Sequence, residues 1–499
     1  MARRAGASLR ELPIQNAIYE GSYARRPRRA LEADFDFFGG PAFLAFLIPD
    51  SLPGTLRSFC NRSTRPPGTL SISAVSEIDG NGVVMVAFCK VVSFLLLCYR
   101  NTARIRFRAL VPNWGLKRML SGEQISNLRS RFPILRQKTY LYSCSQGALS
   151  DAAEAGLRAY TESWRTSSAP WNDWMEVYEA MRAEFACFVN AEPDEIAIVT
   201  SASAGINAIA NAVQFDRRAN VVMGEYEFPT MGQIWLAQQT RGARIEFLEG
   251  RGNSIPLEAY ERAIDERTAI VPVTQVAFLN GFRSDAARIT RLAHDKGALV
   301  FLDGFQDCGT RPIDVKAMDI DFYVTGTLKY LLGPPGVAFL YVKRSFVESR
   351  MPTITSWLAQ RDAFAFNTRK LDPAREARRF EGGSPPMPNI YAARSALALL
   401  TSIGMENVRD QIAQLTRAFL QGTRALGIAA KTPDTSVGPL VVLRSTDPEA
   451  LVGKLTARGV VVSSRLDGVR FSFHVYNNLD DVHAALAVLE ANLDLLVRG

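Results

Sequence analysis

The sequence has few of the residues that build metal sites and disulfide frameworks. Its 499 residues include only three histidines and six cysteines, and no two cysteines form a CxxC pair. The histidines, His294, His474 and His483, are too scattered for a tetrahedral zinc site. Unpaired cysteines in a chain of this size are typical of a reducing compartment, so we expect a cytoplasmic protein without a bound metal.

Long apolar runs are also missing. The most apolar stretch, residues 83–99, is shorter than the roughly 20 residues of a membrane-spanning helix, and Lys90 interrupts it. It also lies too far from the start of the chain to be a signal peptide. We therefore expect no membrane partner, and a weak anchor at this stretch is the less favoured alternative.

Acidic residues are scarce in one segment only. Residues 1–118 contain 17 Lys and Arg against 8 Asp and Glu, whereas the rest of the chain contains 41 against 42. This first segment shows no sustained hydrophobic period. We interpret it as a basic, poorly ordered extension without a catalytic role, with Met119 as one interpretation of the natural start. The balanced remainder predicts no nucleic-acid partner.

Beyond residue 119, apolar runs of strand length alternate with helical patterns. This alternation predicts an α/β fold with a mostly parallel sheet covered by helices on both faces. We assign this large domain to residues 119–345. Residues 346–499 are predicted to contain a linker and a smaller C-terminal α+β domain. The predicted strands of the large domain include residues 196–199, 221–223, 245–248, 269–273, 299–302 and 337–342.

Three polar residues predict the chemistry. Asp303 ends a buried-looking strand, Gln306 follows three residues later, and Lys329 lies in a turn before a Gly-Pro-Pro-Gly run. A lysine that forms a Schiff base and an acid that pairs with a protonated pyridine nitrogen are the groups that pyridoxal 5′-phosphate requires. Gln306 is placed to hydrogen-bond the oxygen on the ring. Ligands of such sheets bind outside the carboxyl ends of the strands, where Asp303 falls.

From about residue 140 onward the chain resembles the class V aminotransferases, which are fold type I pyridoxal phosphate enzymes. The most specific part of the resemblance is residues 303–336. The resemblance implies a seven-stranded sheet of that fold type and a homodimer with shared active sites. One departure is Leu328, which stands where the family usually has a histidine.

Further site residues are expected from strand ends and from the resemblance. A small-residue turn that opens a helix suits a phosphate, so Ser203 and the amides of Ala204 and Gly205 are candidates, with Thr327 as a second hydroxyl. The resemblance implies three more residues. These are Phe228 over the cofactor ring, Ser384 reaching the phosphate of the partner subunit, and Arg470 binding the substrate carboxylate with its two-pronged guanidinium.

These residues predict an enzyme that acts on an amino acid, with Lys329 moving the Cα proton. They are common to transamination, β-elimination and epimerisation. We favour an aminotransferase, and a C–S or β-lyase or an epimerase is the alternative. No cysteine precedes Arg470 in residues 460–468, which makes a persulfide-forming desulfurase an unfavourable interpretation. A binding module with this fold but without turnover is the alternative from another class.

Overall fold

The computed structural model describes residues 120–499. The extension interpreted at residues 1–118 and the apolar stretch at residues 83–99 therefore lie outside the described residues. Within the described part, no helix has both the length and the apolar character needed to cross a bilayer.

Helices and strands alternate through most of the described chain, as predicted. The helices are α1 (Gly122–Ser130), α2 (Asp151–Ser167), α3 (Trp171–Phe188), α4 (Ala202–Ala212), α5 (Pro229–Ala237), α6 (Leu257–Ala263), α7 (Ala286–Asp295), α8 (Arg344–Ser349), α9 (Met387–Ile403), α10 (Met405–Ala425), α11 (Pro448–Ala457) and α12 (Leu479–Glu490). The strands are β1 (Thr139–Tyr140), β2 (Ile196–Val199), β3 (Asn220–Gly224), β4 (Arg244–Leu248), β5 (Thr268–Thr274), β6 (Leu299–Asp303), β7 (Phe322–Gly326), β8 (Ala338–Val342), β9 (Leu440–Arg444), β10 (Val460–Val461), β11 (Ser463–Arg465) and β12 (Gly468–Ser472).

A seven-stranded sheet forms the centre of the large domain. Its strand order is β2-β8-β7-β6-β5-β3-β4. Strand β8 is antiparallel to both of its neighbours, and the other neighbouring pairs are parallel. The mostly parallel sheet expected from the sequence is therefore confirmed.

Apolar side chains explain this arrangement. All seven residues of β5 are buried, and so are all five of β7 and of β8, whereas the edge strand β4 exposes most of its residues. Alternate residues of the central strands enter two separate apolar cores, one on each face of the sheet. Strands that are apolar on both faces are stable only in the middle of such a layered structure.

The C-terminal unit has its own antiparallel sheet and its own apolar core. Its strand order is β11-β12-β9. The start of the described chain packs onto it, because Thr139 of β1 pairs with Val460 of β10 and Arg129 forms a 2.6 Å ion pair with Asp481. This pairing carries the next loop, residues 143–147, to the large domain. The domain limits at residues 119–345 and 346–499 remain predictions.

Candidate active site

The candidate site lies where parallel strands end. Strands β2, β3, β5, β6 and β7 run in one direction, so the loops that follow them meet at one edge of the sheet. Asp303 is the last residue of β6, and Lys329 comes three residues after the end of β7. The structure thus brings together the two residues on which the sequence-based prediction depends.

Lys329 is half-buried, and its amine loses a proton more easily than that of a solvent-exposed lysine. Burial lowers the pKa of Lys329 to about 8, and the charge of Arg470 acts in the same direction, whereas Asp303 opposes the shift. Buried ammonium groups lose protons more easily because the charged form is poorly solvated. Near neutral pH the amine can therefore be deprotonated at low cost, as a nucleophile must be.

Asp303 is 6% exposed, and burial raises the pKa of its carboxyl, against the opposing effects of the Phe305 amide and Lys329. One of its oxygens, Oδ1, accepts the backbone N–H of Phe305 at 2.8 Å. This hydrogen bond fixes the carboxyl in the turn after β6. A buried carboxylate held in this way is poorly solvated by water. A cationic ring nitrogen would therefore be a better partner for it.

Gln306 is buried and only partly satisfied. Its Nε2 donates to the carbonyl of Cys144 at 3.0 Å. Its Oε1 is buried and has no hydrogen-bond partner among the described residues. Because an unsatisfied buried amide oxygen is costly, it is evidence of a missing polar group at this point.

Two aromatic rings flank the amine. The Nζ of Lys329 lies 4.4 Å from the ring centroid of Phe305 and 5.7 Å from that of Phe228. Phe228, which was predicted to cover the cofactor ring, is exposed over 43% of its surface and packs edge-on against Phe278. Phe305 was not predicted as a site residue, although it stands between Asp303 and Gln306 in the sequence.

The predicted phosphate loop shows a different set of free donors from the one expected. Ser201 caps α4, so its Oγ accepts the amide of Ala204, and its carbonyl accepts the amide of Gly205. These two amides are therefore occupied, and the first-turn amides of Ala202 and Ser203 are the ones left by the helix geometry. The hydroxyl of Ser203 lies 3.4 Å from that of Thr230, in the first turn of α5. Two helix N-termini thus meet at Ser203, as an anion site requires.

Thr327 and Ser384 lie in contrasting environments. The hydroxyl of Thr327 is buried and donates to the Pro334 carbonyl at 2.5 Å, so its single proton is used within its own loop and is not directed toward a phosphate. Ser384 is exposed and follows Glu381, a buried carboxylate that accepts from the Tyr178 hydroxyl and the Ile198 amide at 2.8 Å each. An anchored loop with an exposed serine fits the expectation that Ser384 acts outside its own chain.

Arg470 is held rigidly on β12. It is 2% exposed, and its three nitrogens donate to the Ser463 hydroxyl, the Phe278 carbonyl and the Ser145 hydroxyl at 3.0, 3.3 and 2.7 Å. Its partners are neutral, so its positive charge is not paired with a carboxylate in these contacts. A guanidinium fixed in this way can bind a substrate carboxylate with its remaining donors.

Backbone contacts hold the loop of Lys329 in place. The amide of Gly147 donates to the carbonyl of Leu328 at 2.8 Å, and a Cβ at position 147 would lie 2.3 Å from the carbonyl of Lys329. Only glycine permits this approach. On the other side, the Nδ1 of His474 accepts the Val475 amide at 2.7 Å, which leaves its Nε2–H to donate to the carbonyl of Tyr330 at 2.9 Å.

Comparisons with known proteins identify the family of the chain. The sequence model of the aminotransferase class-V family matches residues 148–485, and the chain belongs to this family. It is 31% identical over 364 residues to an uncharacterized aminotransferase of Bacillus subtilis, YcbU, covering 73% of this chain and 96% of the relative. It is 27% identical over 395 residues to the kynureninase of Deinococcus radiodurans, covering 75% and 94% of the two chains. The structure of a cysteine desulfurase from Thermococcus onnurineus superposes with a TM-score of 0.69 at 21% identity, covering 76% of this chain and 99% of the other.

The comparisons confirm the predicted family, the fold type I architecture and the pyridoxal phosphate cofactor. They also make the chain an enzyme, so the non-catalytic binding module is set aside. The described residues fit the cofactor. The unpaired Oε1 of Gln306 could accept a hydrogen bond from the hydroxyl of the ring, the buried Asp303 could pair with the ring nitrogen, and the two converging helix ends could bind the phosphate.

His474 predicts a specific acid sensitivity. Burial lowers the pKa of His474 to about 4, from 6.5 in the unfolded chain. The stability contributed by the neutral imidazole is therefore complete above pH 6.5 and is lost as the pH falls toward 4, by about 3 kcal/mol. In His474→Gln, the free energy of unfolding should lose this part of its pH dependence between pH 7 and pH 4.5. The variant of the exposed His483, His483→Gln, should follow the wild type, and equal profiles for all three proteins would contradict the assignment.

Proposed function

We propose that the protein is an aminotransferase that acts on an amino acid through Lys329. The observation that carries this proposal is that the buried amine of Lys329 interacts with the charges of both Asp303 and Arg470. Asp303 can then contribute to the activation of the substrate, while Arg470 holds the substrate carboxylate. The family match and the long alignment with a relative named an aminotransferase support the same reaction.

Each named residue has a distinct part in the proposed reaction. The aldehyde of pyridoxal phosphate, when bound, supplies an imine-forming carbon and a ring that delocalises negative charge. Lys329 provides the amine that holds the cofactor and later moves the proton at the substrate Cα. Asp303 keeps a proton on the ring nitrogen, Gln306 binds the ring oxygen, and Ser203 binds the phosphate. Phe228 covers one face of the ring and excludes water from it.

A lyase reaction at the same site is the second candidate. Relatives named cysteine desulfurase and kynureninase support it, because their alignments also cover most of their length. Against the desulfurase, Ser463, Ser464 and Arg465 occupy β11 directly before Arg470, and the segment from 460 to 470 has no cysteine. The two candidates differ in their products, which makes them separable.

The reaction is tested by product analysis of the cofactor-loaded protein with a panel of amino acids. We expect an oxo acid from the amino acid only when a second oxo acid is present as acceptor, without release of ammonia. Lys329→Ala should lower the rate on the order of 10³-fold or more and abolish the absorbance of the lysine-bound cofactor, whereas Lys454→Ala, at an exposed position, should change neither. Pyruvate and ammonia formed without an acceptor would instead establish the lyase.

The role of Arg470 is tested by a charge-conserving pair of variants. Arg470→Lys keeps the charge but loses the fork, so KM for the amino acid should rise by about 10- to 100-fold, the cost of a lost charge-assisted pair of hydrogen bonds. Arg458→Lys, at the exposed C-terminal end of α11, should leave KM unchanged. An unchanged KM in Arg470→Lys would remove Arg470 from the substrate site.

We propose further that two copies of the chain form a homodimer in which Ser384 of one copy binds the cofactor phosphate in the other. Its exposure on an anchored loop supports this. Ser384→Asp should abolish cofactor binding by repelling the phosphate. Mixing Ser384→Asp chains with Lys329→Ala chains should restore binding and activity, because one mixed site contains both native residues. Failure to restore either one in a proven mixed dimer would contradict the shared site.

The cytoplasm is the proposed location. The cysteines of the described part, Cys144, Cys187 and Cys308, are all free thiols, which suits a reducing compartment. Cell fractionation checks this directly, and recovery with secreted or periplasmic proteins would contradict it.

A further inference from the structure

Glu227 is a buried carboxyl that the proposed reaction does not use. It lies between the end of β3 and Phe228 and is 8% exposed. Its Oε1 accepts the backbone N–H of Thr274 at 2.7 Å. Its Oε2 is buried and has no hydrogen-bond partner within residues 120–499. A negative charge in this position would be poorly compensated.

The hydrogen bond to Thr274 places Glu227 beside the ring-binding acid. Thr274 is the register partner of Asp303 in the pairing of β5 with β6. The next amide, that of Gln275, donates to the carbonyl of Asp303 at 2.8 Å. Glu227 therefore joins the strand end next to Asp303 to the loop that carries Phe228, the proposed cover of the ring.

The surroundings of Glu227 favour its neutral form. Burial raises the pKa of Glu227 to about 8, against the Thr274 amide, and the charge of Asp303 adds to the rise. The other ionisable group that interacts with it is Tyr260 of α6, a buried phenol whose pKa is raised mainly by its own burial. Lys329 interacts with Asp303. At neutral pH the carboxyl of Glu227 therefore carries a proton.

We propose that Glu227 is a positioning residue that acts as an uncharged acid, holding the Phe228 loop against β5 and leaving Asp303 as the acid that would carry the negative charge for the ring nitrogen. Two carboxylates that share a site cannot both ionise easily, because each raises the pKa of the other. If Glu227 were charged, Asp303 would be protonated more readily and would lose its attraction for the ring nitrogen. This inference rests on the proposed cofactor-binding role of Asp303, but it does not depend on whether the reaction is transamination.

Infrared difference spectroscopy of the cofactor-loaded protein tests the proton directly. Wild type minus Glu227→Gln should show the carbonyl band of a protonated carboxylic acid at pH 6, and the band should disappear as the pH rises through about 8. Glu225→Gln is the matched control, because Glu225 also accepts a backbone amide, that of Gly250, but is exposed. Asp303→Asn separates the contribution of the second acid. Absence of a Glu227 band at pH 6 would overturn the proposal.

Cofactor affinity tests the positioning role. Glu227→Gln copies the neutral acid, so its Kd for pyridoxal phosphate at pH 7 should stay within about twofold of wild type. Glu227→Ala removes the link to Thr274 and should weaken binding by about tenfold. If the glutamine variant loses as much affinity as the alanine variant, a charged Glu227 is required and the proposal is wrong. The infrared band and the Kd are both measured without turnover. Their results therefore remain valid even if the product assay identifies a lyase.

Discussion

The interaction between Lys329 and Asp303 is the constraint on which the site depends. Each charge stabilises the other, but burial is the larger effect on both, so the pKa of the lysine falls and that of the acid rises. The site is therefore a poor environment for the charged forms of both residues. A cofactor with a cationic ring nitrogen would give Asp303 a permanent partner. The charge of Lys329 would then no longer be needed to stabilise the carboxylate. Because Lys329 and Asp303 stabilise each other only weakly, each residue remains available to bond another group.

Arg470 is brought to this pair by contacts between the beginning and the end of the described part of the chain. Strand β1 pairs with β10, more than 300 residues away, and this places Ser145 within 2.7 Å of the guanidinium. The same loop provides Cys144, whose carbonyl accepts from Gln306. One short loop therefore contacts both Arg470, the proposed carboxylate-binding residue, and Gln306, the proposed partner of the ring oxygen.

The parts of the fold with strong local signals could be predicted from the sequence. The central strands are apolar on both faces, and Asp303 and Lys329 stand in recognisable local runs, so the sheet edge and its chemistry followed. The short polar strand β11 lacks such a signal, because it is defined only by its pairing with β12. The contacts of Ser145 with Arg470 and of His474 with the Tyr330 carbonyl join distant parts of the described chain, which no local pattern contains. The cap at Ser201 was accessible to sequence reasoning, since its spacing from Ala204 is that of an N-cap.

Leu328 shows how the structure tolerates the loss of a polar side chain beside Lys329. The loop is held by its backbone, since the carbonyl of Leu328 accepts from Gly147 and that of Tyr330 accepts from His474. A histidine at 328 is therefore not needed to position the lysine. The rings of Phe305 and Phe228 lie beside the amine. The pKa of Lys329 is lowered mainly by burial, so this shift does not require an ionisable side chain at position 328.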